Sequence, residues 1–210
     1  MKISSQSFND GAAIPGEFAF AVIDPVTRVS LSSNRNPHLA WTEVPEGTKS
    51  FVLICHDSDV PSQADDVNKE DREVPASLPR VDFFHWTLMD IPAEAREIVA
   101  GGHSNGVTPR GKTGPEAPNN LRHGINDYTS WFAGDANMQG TYFGYDGPAP
   151  PWNDSLLHHY VFTLYALDVP HLEVSGDPTG ANVRAALDGH VIARVTLTGT
   201  YSLNPRLQKS

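Results

Sequence analysis

The stretch Ser50-Phe-Val-Leu-Ile-Cys-His56, followed at once by Asp57-Ser58-Asp59-Val60-Pro61, decides the fold. Its apolar residues form a continuous run, which is typical of a short strand buried on both faces. Cys55 lies in that run and is the single cysteine of the chain, so we expect a buried, unreactive thiol and no internal disulfide. Polar and turn-forming residues follow directly, so the sequence predicts a buried strand with carboxylates at its end.

Further strands are predicted on both sides of this one. Aromatic and β-branched residues are dense in residues 18–23, 83–91, 160–167 and 191–201. Alternation in residues 83–91 predicts that Phe84, Trp86 and Leu88 share one face of their strand. We expect Trp86, like Trp41, to belong to the core.

Helical signals are few. Residues 180–187 predict one helix, because Asp177-Pro178-Thr179 offers a cap before it and Asp188-Gly189 ends it. A short helical turn is expected after Pro92. Gly and Pro number 17 each, so connections are rich in turns. This combination predicts a mainly-β fold, an antiparallel β-sandwich with one or two short helices.

Length and composition indicate one globular domain over residues 1–210. The chain is 39% hydrophobic and 19% charged, with no internal repeat and no break in composition. Two segments are predicted as loops. Residues 62–80 are polar and mostly acidic and form an insertion, and residues 101–118 are rich in Gly and Pro.

The net charge of −10 argues against nucleic acid or an anionic membrane as a general partner, because the long-range field repels them. A local anion site is still allowed, since salt screens distant charges within about 10 Å. No apolar run approaches the roughly 20 residues of a membrane span. The N-terminal residues lack a hydrophobic run of signal-peptide length, so a cytoplasmic location is expected.

One motif is misleading. Residues 106–113, Gly-Val-Thr-Pro-Arg-Gly-Lys-Thr, fit the phosphate-loop pattern letter for letter. That motif needs a buried strand before it and a helix N-terminus after it. Gly and Ser residues precede it, and Gly114, Pro115 and Pro118 follow it and oppose a helix. We therefore reject nucleotide-phosphate binding here.

Polar residues at the edges of apolar segments carry a more specific signal. They are Asp57-Ser58-Asp59-Val60-Pro61, then His85-Trp86, then Gly147-Pro-Ala-Pro-Pro151, and finally His158-His159-Tyr160. In this order, over nearly the whole chain, they resemble the phosphatidylethanolamine-binding protein family, whose bacterial members are often called Raf kinase inhibitor-like proteins. Three further matches are Asn36-Pro37-His38-Leu39-Ala40-Trp41, Pro45-Glu46-Gly47-Thr48-Lys49-Ser50 and Leu187-Asp188-Gly189-His190.

The resemblance implies an antiparallel β-sandwich with Greek-key connections and a pocket for a phosphate-like anion. Carried over residue by residue, the pocket is lined by Asp57, Asp59, His85, Tyr145, Gly147, His158 and Tyr160. No cofactor and no metal are implied. The resemblance also implies a homodimer, because bacterial members are often dimers, and a kinase- or protease-regulating role.

Physical chemistry supports such a pocket. His85 and His158 offer ring N–H groups, and more strongly when protonated, while Gly147 lets its backbone N–H approach a ligand. Tyr160 offers a hydroxyl. The carboxylates have three open roles: they fix a charged histidine, receive an ammonium group, or receive the proton of a monoprotonated phosphate. The residues alone do not choose among these roles.

This sequence departs from the family pattern in several places. Ser58 replaces a proline, and His159 replaces an arginine, which removes a fixed charge. Trp152-Asn153-Asp154 stands where many members have a Lys-Gly stretch, so a less basic rim is expected. The Val60-Pro61 bond is a candidate cis peptide, because such bonds shape tight turns. These departures put the identity of the ligand in question more than the existence of the pocket.

Three functions compete. The leading one is a non-enzymatic binding protein for a phosphoryl or carboxylate group on a small molecule, a phospholipid head group or a phosphoprotein. The second is a hydrolase or metal-dependent enzyme that uses the Asp and His residues, although no nucleophile lies in a recognisable motif. The third is an interaction or inhibitor module whose acidic loop, residues 62–80, binds a basic partner.

Overall fold

The computed structural model describes residues 1–208, and within them the chain forms eleven β-strands and two short α-helices. The strands are β1 Lys2–Ser4, β2 Ala21–Asp24, β3 Arg28–Leu31, β4 Leu39–Thr42, β5 Ser50–Pro61, β6 Arg80–Pro92, β7 Glu97–Ile98, β8 Glu116–Ala117, β9 Leu121–His123, β10 His158–Leu167 and β11 Val191–Tyr201. The helices are α1 Tyr128–Trp131 and α2 Gly180–Ala186. Single 3₁₀ turns cover Gly16–Phe18, Pro118–Asn120 and Pro205–Leu207.

The strands form antiparallel sheets, which confirms the predicted fold class. A six-stranded sheet has the order β11-β10-β5-β6-β9-β8, and a three-stranded sheet has the order β1-β4-β7. β2 and β3 form a separate hairpin. The long strands β5 and β10 are far apart in sequence but adjacent in the sheet, so the residues at their ends meet at one edge.

Apolar side chains cover both faces of the six-stranded sheet. The main core lies between it and the three-stranded sheet, and it contains both Trp41 and Trp86, as predicted. Cys55 is buried there, and burial raises the pKa of its thiol well above the ordinary value. A second core lies on the opposite face, where Val183 and Leu187 of the α2 region pack on Val52 and Ile54.

A β-bulge sets the direction of one site residue. Trp86 of β6 lies opposite Cys55, while Phe84, two positions away, lies opposite the next residue of β5, His56. His85 is therefore the extra residue of a bulge in β6. Bulges change the direction in which a side chain points and often lie beside functional sites.

The bulge also makes one sequence prediction wrong. Phe84 and Trp86 do not share a face: Phe84 joins the second core and Trp86 joins the main core. Strict alternation fails here because one inserted residue shifts every later side chain to the opposite face.

The other local predictions have mixed outcomes. The helix at residue 180 is confirmed, with Thr179 Oγ1 accepting the Asn182 N–H at 3.2 Å. In place of the strand expected over residues 18–23, the chain forms a 3₁₀ turn and enters β2 only at Ala21. The chain makes a hydrogen-bonded turn after Pro92 and no helix.

Two predictions concern loop geometry. Val60-Pro61 is trans, because the one cis peptide bond within residues 1–208 is Gly114-Pro115. Pro61 is the last residue of β5, so extended pairing with β6 continues through this bond and no tight turn forms there. Residues 106–113 lie in a loop that leads to β8, with no strand directly before them and no helix directly after them, so the strand–loop–helix context of a phosphate loop is missing there.

Candidate ligand pocket

A cavity of about 410 Å³ lies beside the ends of β5, β6 and β10. The β2–β3 hairpin, the region of α1, the insertion at residues 62–80 and the segment 149–152 enclose it. Four of its lining residues are polar members of the predicted set: Asp57, His85, His158 and Tyr160. We call these four the base of the cavity. Most of the remaining lining is apolar or aromatic.

His158 is held between two carboxylates. Its Nδ1 lies 2.6 Å from Asp57 Oδ2, and its Nε2 lies 2.9 Å from Asp154 Oδ2. Burial alone lowers the pKa of His158, but these carboxylates outweigh it and raise the pKa to about 9. Both ring nitrogens therefore carry protons at neutral pH, and both protons are already donated within the protein.

The charged chain continues to Arg80. The two terminal nitrogens of its guanidinium lie 2.6 and 3.1 Å from the two oxygens of Asp154, a bidentate pair. Burial raises the pKa of Asp154, but hydrogen bonds from His158 and Arg80 outweigh it and leave the pKa below its ordinary value. Two cations and two carboxylates thus alternate from Arg80 to Asp57, and their charges cancel.

His85 differs from His158 in its protonation state. Its Nδ1 lies 2.7 Å from the Asp146 carbonyl oxygen, which only accepts, so Nδ1 carries the ring proton. Burial lowers the pKa of His85, and the attraction of Asp57 offsets this only in part. The ring is therefore neutral at pH 7. Its Nε2 keeps a lone pair and makes no hydrogen bond to any residue from 1 to 208.

Tyr160 supplies a donor. Its hydroxyl is buried and makes no hydrogen bond of normal geometry to residues 1–208, and the Asp57 carboxylate on the paired strand is its near acceptor. Burial, and next the charge of Asp57, raise the pKa of Tyr160 well above its ordinary value, so the hydroxyl keeps its proton. A buried donor without a partner is costly in a folded protein, so a ligand atom would satisfy it.

Three residues of the predicted set do not line this cavity. The Gly147 N–H donates to Asn34 Oδ1 at 2.8 Å, and the Tyr145 hydroxyl donates to the Phe18 carbonyl oxygen at 2.5 Å. Gly147 still requires a glycine, because a Cβ there would lie 2.2 Å from that same oxygen. Asp59 lies beyond the base and accepts the His159 N–H at 2.8 Å.

Sequence reasoning missed Asp154 and Arg80. Asp154 precedes His158 by four residues, so both belong to one short segment, and this spacing was an available signal. The sequence predicts Arg80 as the end of the insertion, whereas the structure has it as the first residue of β6. Its pairing with Asp154 joins residues 74 positions apart in the chain and has no local signature.

The insertion is folded around one side chain. The Asn153 amide group donates to the carbonyl oxygens of Asp66, Lys69 and Arg72, and its oxygen accepts the Asn68 N–H. Val74 is buried and pairs with Asp154 in an isolated bridge. This anchoring places Ala64, Val67 and Asn68 in the cavity lining.

Four of the five acidic residues of the insertion form ion pairs within the chain. Arg72 pairs with Asp66 and Asp71, Arg28 pairs with Glu70, and Arg206 pairs with Glu73. These pairs are exposed, so each contributes little to stability. They nonetheless neutralise most of the negative charge with which the insertion would bind a basic partner if the protein were an interaction module.

No group of three or more His, Cys, Asp and Glu side chains in the described part of the chain has the arrangement of a metal site. Asp57 and Asp154 are oriented toward His158, and Asp154 also toward Arg80. None of the helices described here is long and apolar enough to cross a membrane.

The protein is a sandwich of antiparallel sheets with an Asp–His cluster at the ends of its central strands. The family model "Phosphatidylethanolamine-binding protein" matches residues 4–202, and the chain belongs to that family. It is 28% identical over 202 residues to the UPF0098 protein YbhB of Escherichia coli, covering 96% of this chain and 100% of that protein.

Two solved structures of similar proteins support this family assignment. The crystal structure of E. coli YbcL, described as a new member of the mammalian PEBP family, superposes with a TM-score of 0.65 at 25% identity, covering 96% of this chain and 97% of YbcL. The Chlamydia trachomatis protein CT736, described as a putative phosphatidylethanolamine-binding protein homolog, gives a TM-score of 0.62 at 26% identity, with 96% of each chain covered.

Proposed function

We propose that this protein is a non-enzymatic binding protein whose pocket takes a phosphate-like group that still carries a proton. The observation that carries the proposal is the base of the cavity: the Asp57 carboxylate and the Nε2 lone pair of His85 accept, and the unpartnered Tyr160 hydroxyl donates. Family membership supports a binding role. The engagement of both His158 nitrogens supports it further, because no ring nitrogen is left there for acid–base chemistry.

The protonation state of the ligand follows from these groups. A phosphomonoester dianion would place only lone pairs against Asp57 and His85, whereas its monoanion donates its P–O–H to one of them and accepts from Tyr160. The second pKa of a phosphomonoester is about 6, so the monoanion is the main form below that pH. A phosphoethanolamine head group supplies a donor through its ammonium group as well.

Calorimetry with anions that differ in their protons tests this proposal. Ethyl phosphate, phosphoethanolamine and sulfate are titrated at pH 6 and pH 8 into the wild-type protein. Ethyl phosphate is expected to bind up to about fiftyfold more tightly at pH 6, because with a pKa of about 6 its monoanion fraction falls from about one half to about one hundredth between pH 6 and pH 8. Sulfate carries no proton at either pH and is expected to bind at pH 6 much more weakly than ethyl phosphate.

Two variants locate the effect. Asp57→Asn removes the accepting carboxylate and should reduce the difference in affinity between ethyl phosphate and sulfate. Asp59→Asn, two residues away and outside the cavity, is the matched control and should leave this difference in affinity unchanged. Circular dichroism shows whether each variant is folded. Sulfate binding as tight as ethyl phosphate binding in the wild type at pH 6, or no ethyl phosphate binding at either pH, would refute the proposal.

A further inference from the structure

We infer that the phosphoryl group bound at the base belongs to a small molecule with an aromatic body, and that the wall of the cavity is the subsite for this body. The wall consists of the cavity lining outside the base, most of which comes from the hairpin, the α1 region, the insertion and the segment 149–152. This inference rests on the proposed function, because the base supplies the anchor.

The composition of the wall favours an apolar body. Six aromatic residues line the cavity apart from Tyr160 of the base: Phe20, Phe83, Tyr128, Trp131, Phe132 and Trp152. A ligand pocket of this kind, with a few polar groups at one end, is typical of sites that hold small organic molecules. A bare phosphate would leave the wall uncovered.

The size of the cavity also favours a ligand larger than a phosphate ion. At about 410 Å³ it falls within the range of small-molecule sites, whereas a phosphate ion displaces only a few waters, at about 30 Å³ each. Two lining residues also expose apolar surface at the rim: Leu31 is 59% exposed and Trp131 is 47% exposed. A ligand body that extends from the base would cover them.

The arrangement of the rings favours a planar body over a flexible chain. Phe20 and Tyr128 are stacked with centroids 4.6 Å apart, and Phe83 meets Tyr128 edge-on at 5.3 Å. Rings packed in this way offer faces and edges to a further ring, which also prefers stacked or edge-to-face geometry. A planar body also loses less conformational freedom on binding than an acyl chain.

Two contacts hold the wall together. The guanidinium of Arg28 lies 4.7 Å from the Trp152 ring centroid, and its Nη2 lies 3.1 Å from Glu70 Oε1, so it links the hairpin to the insertion. The Asn153 amide fixes the backbone of the insertion. This wall is therefore preorganised, which reduces the ordering cost of binding.

Phenyl phosphate and ethyl phosphate test the inference by calorimetry at pH 6. Phenyl phosphate is expected to bind the wild-type protein about tenfold more tightly, a difference of about 1.4 kcal/mol. Val67→Ser, in the wall, should reduce this ratio severalfold, because it weakens the binding of phenyl phosphate more than that of ethyl phosphate. Val26→Ser is the matched control, because Val26 is 88% exposed and outside the cavity lining.

The outcomes separate the two proposals. Binding of both phosphates with equal affinity overturns the aromatic subsite and leaves the phosphate base standing. Binding of neither overturns the proposed function and this inference with it. Cyclohexyl phosphate binding as tightly as phenyl phosphate would show an apolar but not an aromatic preference and would also overturn the inference. N-acetyl-phosphotyrosine amide binding more tightly than phenyl phosphate would assign the aryl phosphate to a protein, against the small molecule inferred here.

Discussion

The base and the wall of the cavity are held in different ways. The base lies on long, paired strands, and the alternating charges from Arg80 to Asp57 fix two of its side chains, Asp57 and His158. The wall lies on a hairpin, a short helix and an insertion, tied by one amide group and one exposed arginine. Under the proposed function, the base recognises the phosphoryl group and the wall selects the molecule that carries it.

The largest expected effect comes from breaking the charge chain of the base. His158→Ala leaves Asp57 buried without its cationic partner, so we expect the free energy of unfolding at pH 7 to fall by about 3–5 kcal/mol. Urea denaturation measures this loss. His159→Ala is the matched control on the same strand, since His159 is exposed and should cost about 1 kcal/mol or less. Equal losses in the two variants would show that the chain does not hold the base together.

Stability should also depend on pH through the same residue. The pKa of His158 is raised to about 9 in the folded protein, from 6.5, so its stabilisation is fully present below pH 6.5 and is lost as pH rises through 9. The free energy of unfolding should fall by about 3 kcal/mol over this window. Denaturation at a series of pH values checks this, and His158→Gln should remove the decline.

Below pH 6.5 the free energy of unfolding changes with pH in the opposite direction. Burial lowers the pKa of His123 to about 3 and also lowers the pKa of His85, so the unfolded state takes up protons first as pH falls. Stability should therefore decrease on the acid side as well. A protein most stable at pH 9 or above would contradict the charge states described here.

An effect of intermediate size is expected at Tyr160, where one substitution should lower ligand affinity without lowering stability. Tyr160→Phe removes an unpartnered hydroxyl, so stability should stay the same or rise while phosphate affinity falls about tenfold. Tyr145→Phe is the matched control, because its hydroxyl donates to Phe18 outside the cavity lining. It should cost about 1 kcal/mol of stability and leave phosphate affinity unchanged. Calorimetry and urea denaturation of both variants check the prediction, and the reverse result would place the donor elsewhere.

The smallest effect is expected at the wall. Arg28→Ala removes the link between the hairpin and Glu70, so phenyl phosphate should bind about two- to threefold more weakly, with ethyl phosphate unaffected. Calorimetry measures both affinities. Lys2→Ala, which breaks an exposed pair with Glu43, should change neither affinity. An equal loss for both phosphates would mean that Arg28 acts on the base.

The sequence predicted the base better than the wall for a physical reason. Asp57, His85 and His158 lie at the ends of strong strand patterns, and strand pairing brings such ends together. The charge state of His158 was harder to predict from the sequence, because it depends on Asp154, whose contact with Arg80 joins residues 74 positions apart. The direction of His85 depends on a bulge that alternation does not reveal.

The wall had no comparable signal. Residues 62–80 were predicted as an acidic insertion, and their composition gave no sign that Ala64 and Val67 would line a cavity. The conformation of the insertion comes from hydrogen bonds between the Asn153 side chain and its backbone. Such contacts do not follow from hydrophobic periodicity.

The most direct test of the opposite histidine states is nuclear magnetic resonance of protein labelled with ¹⁵N-histidine. At pH 7, His158 should carry protons on both ring nitrogens and titrate near pH 9, because two carboxylates hold it. His85 should be neutral with its proton on Nδ1 and should titrate below its ordinary pKa. A charged His85 beside a neutral His158 at pH 7 would contradict this account of the pocket.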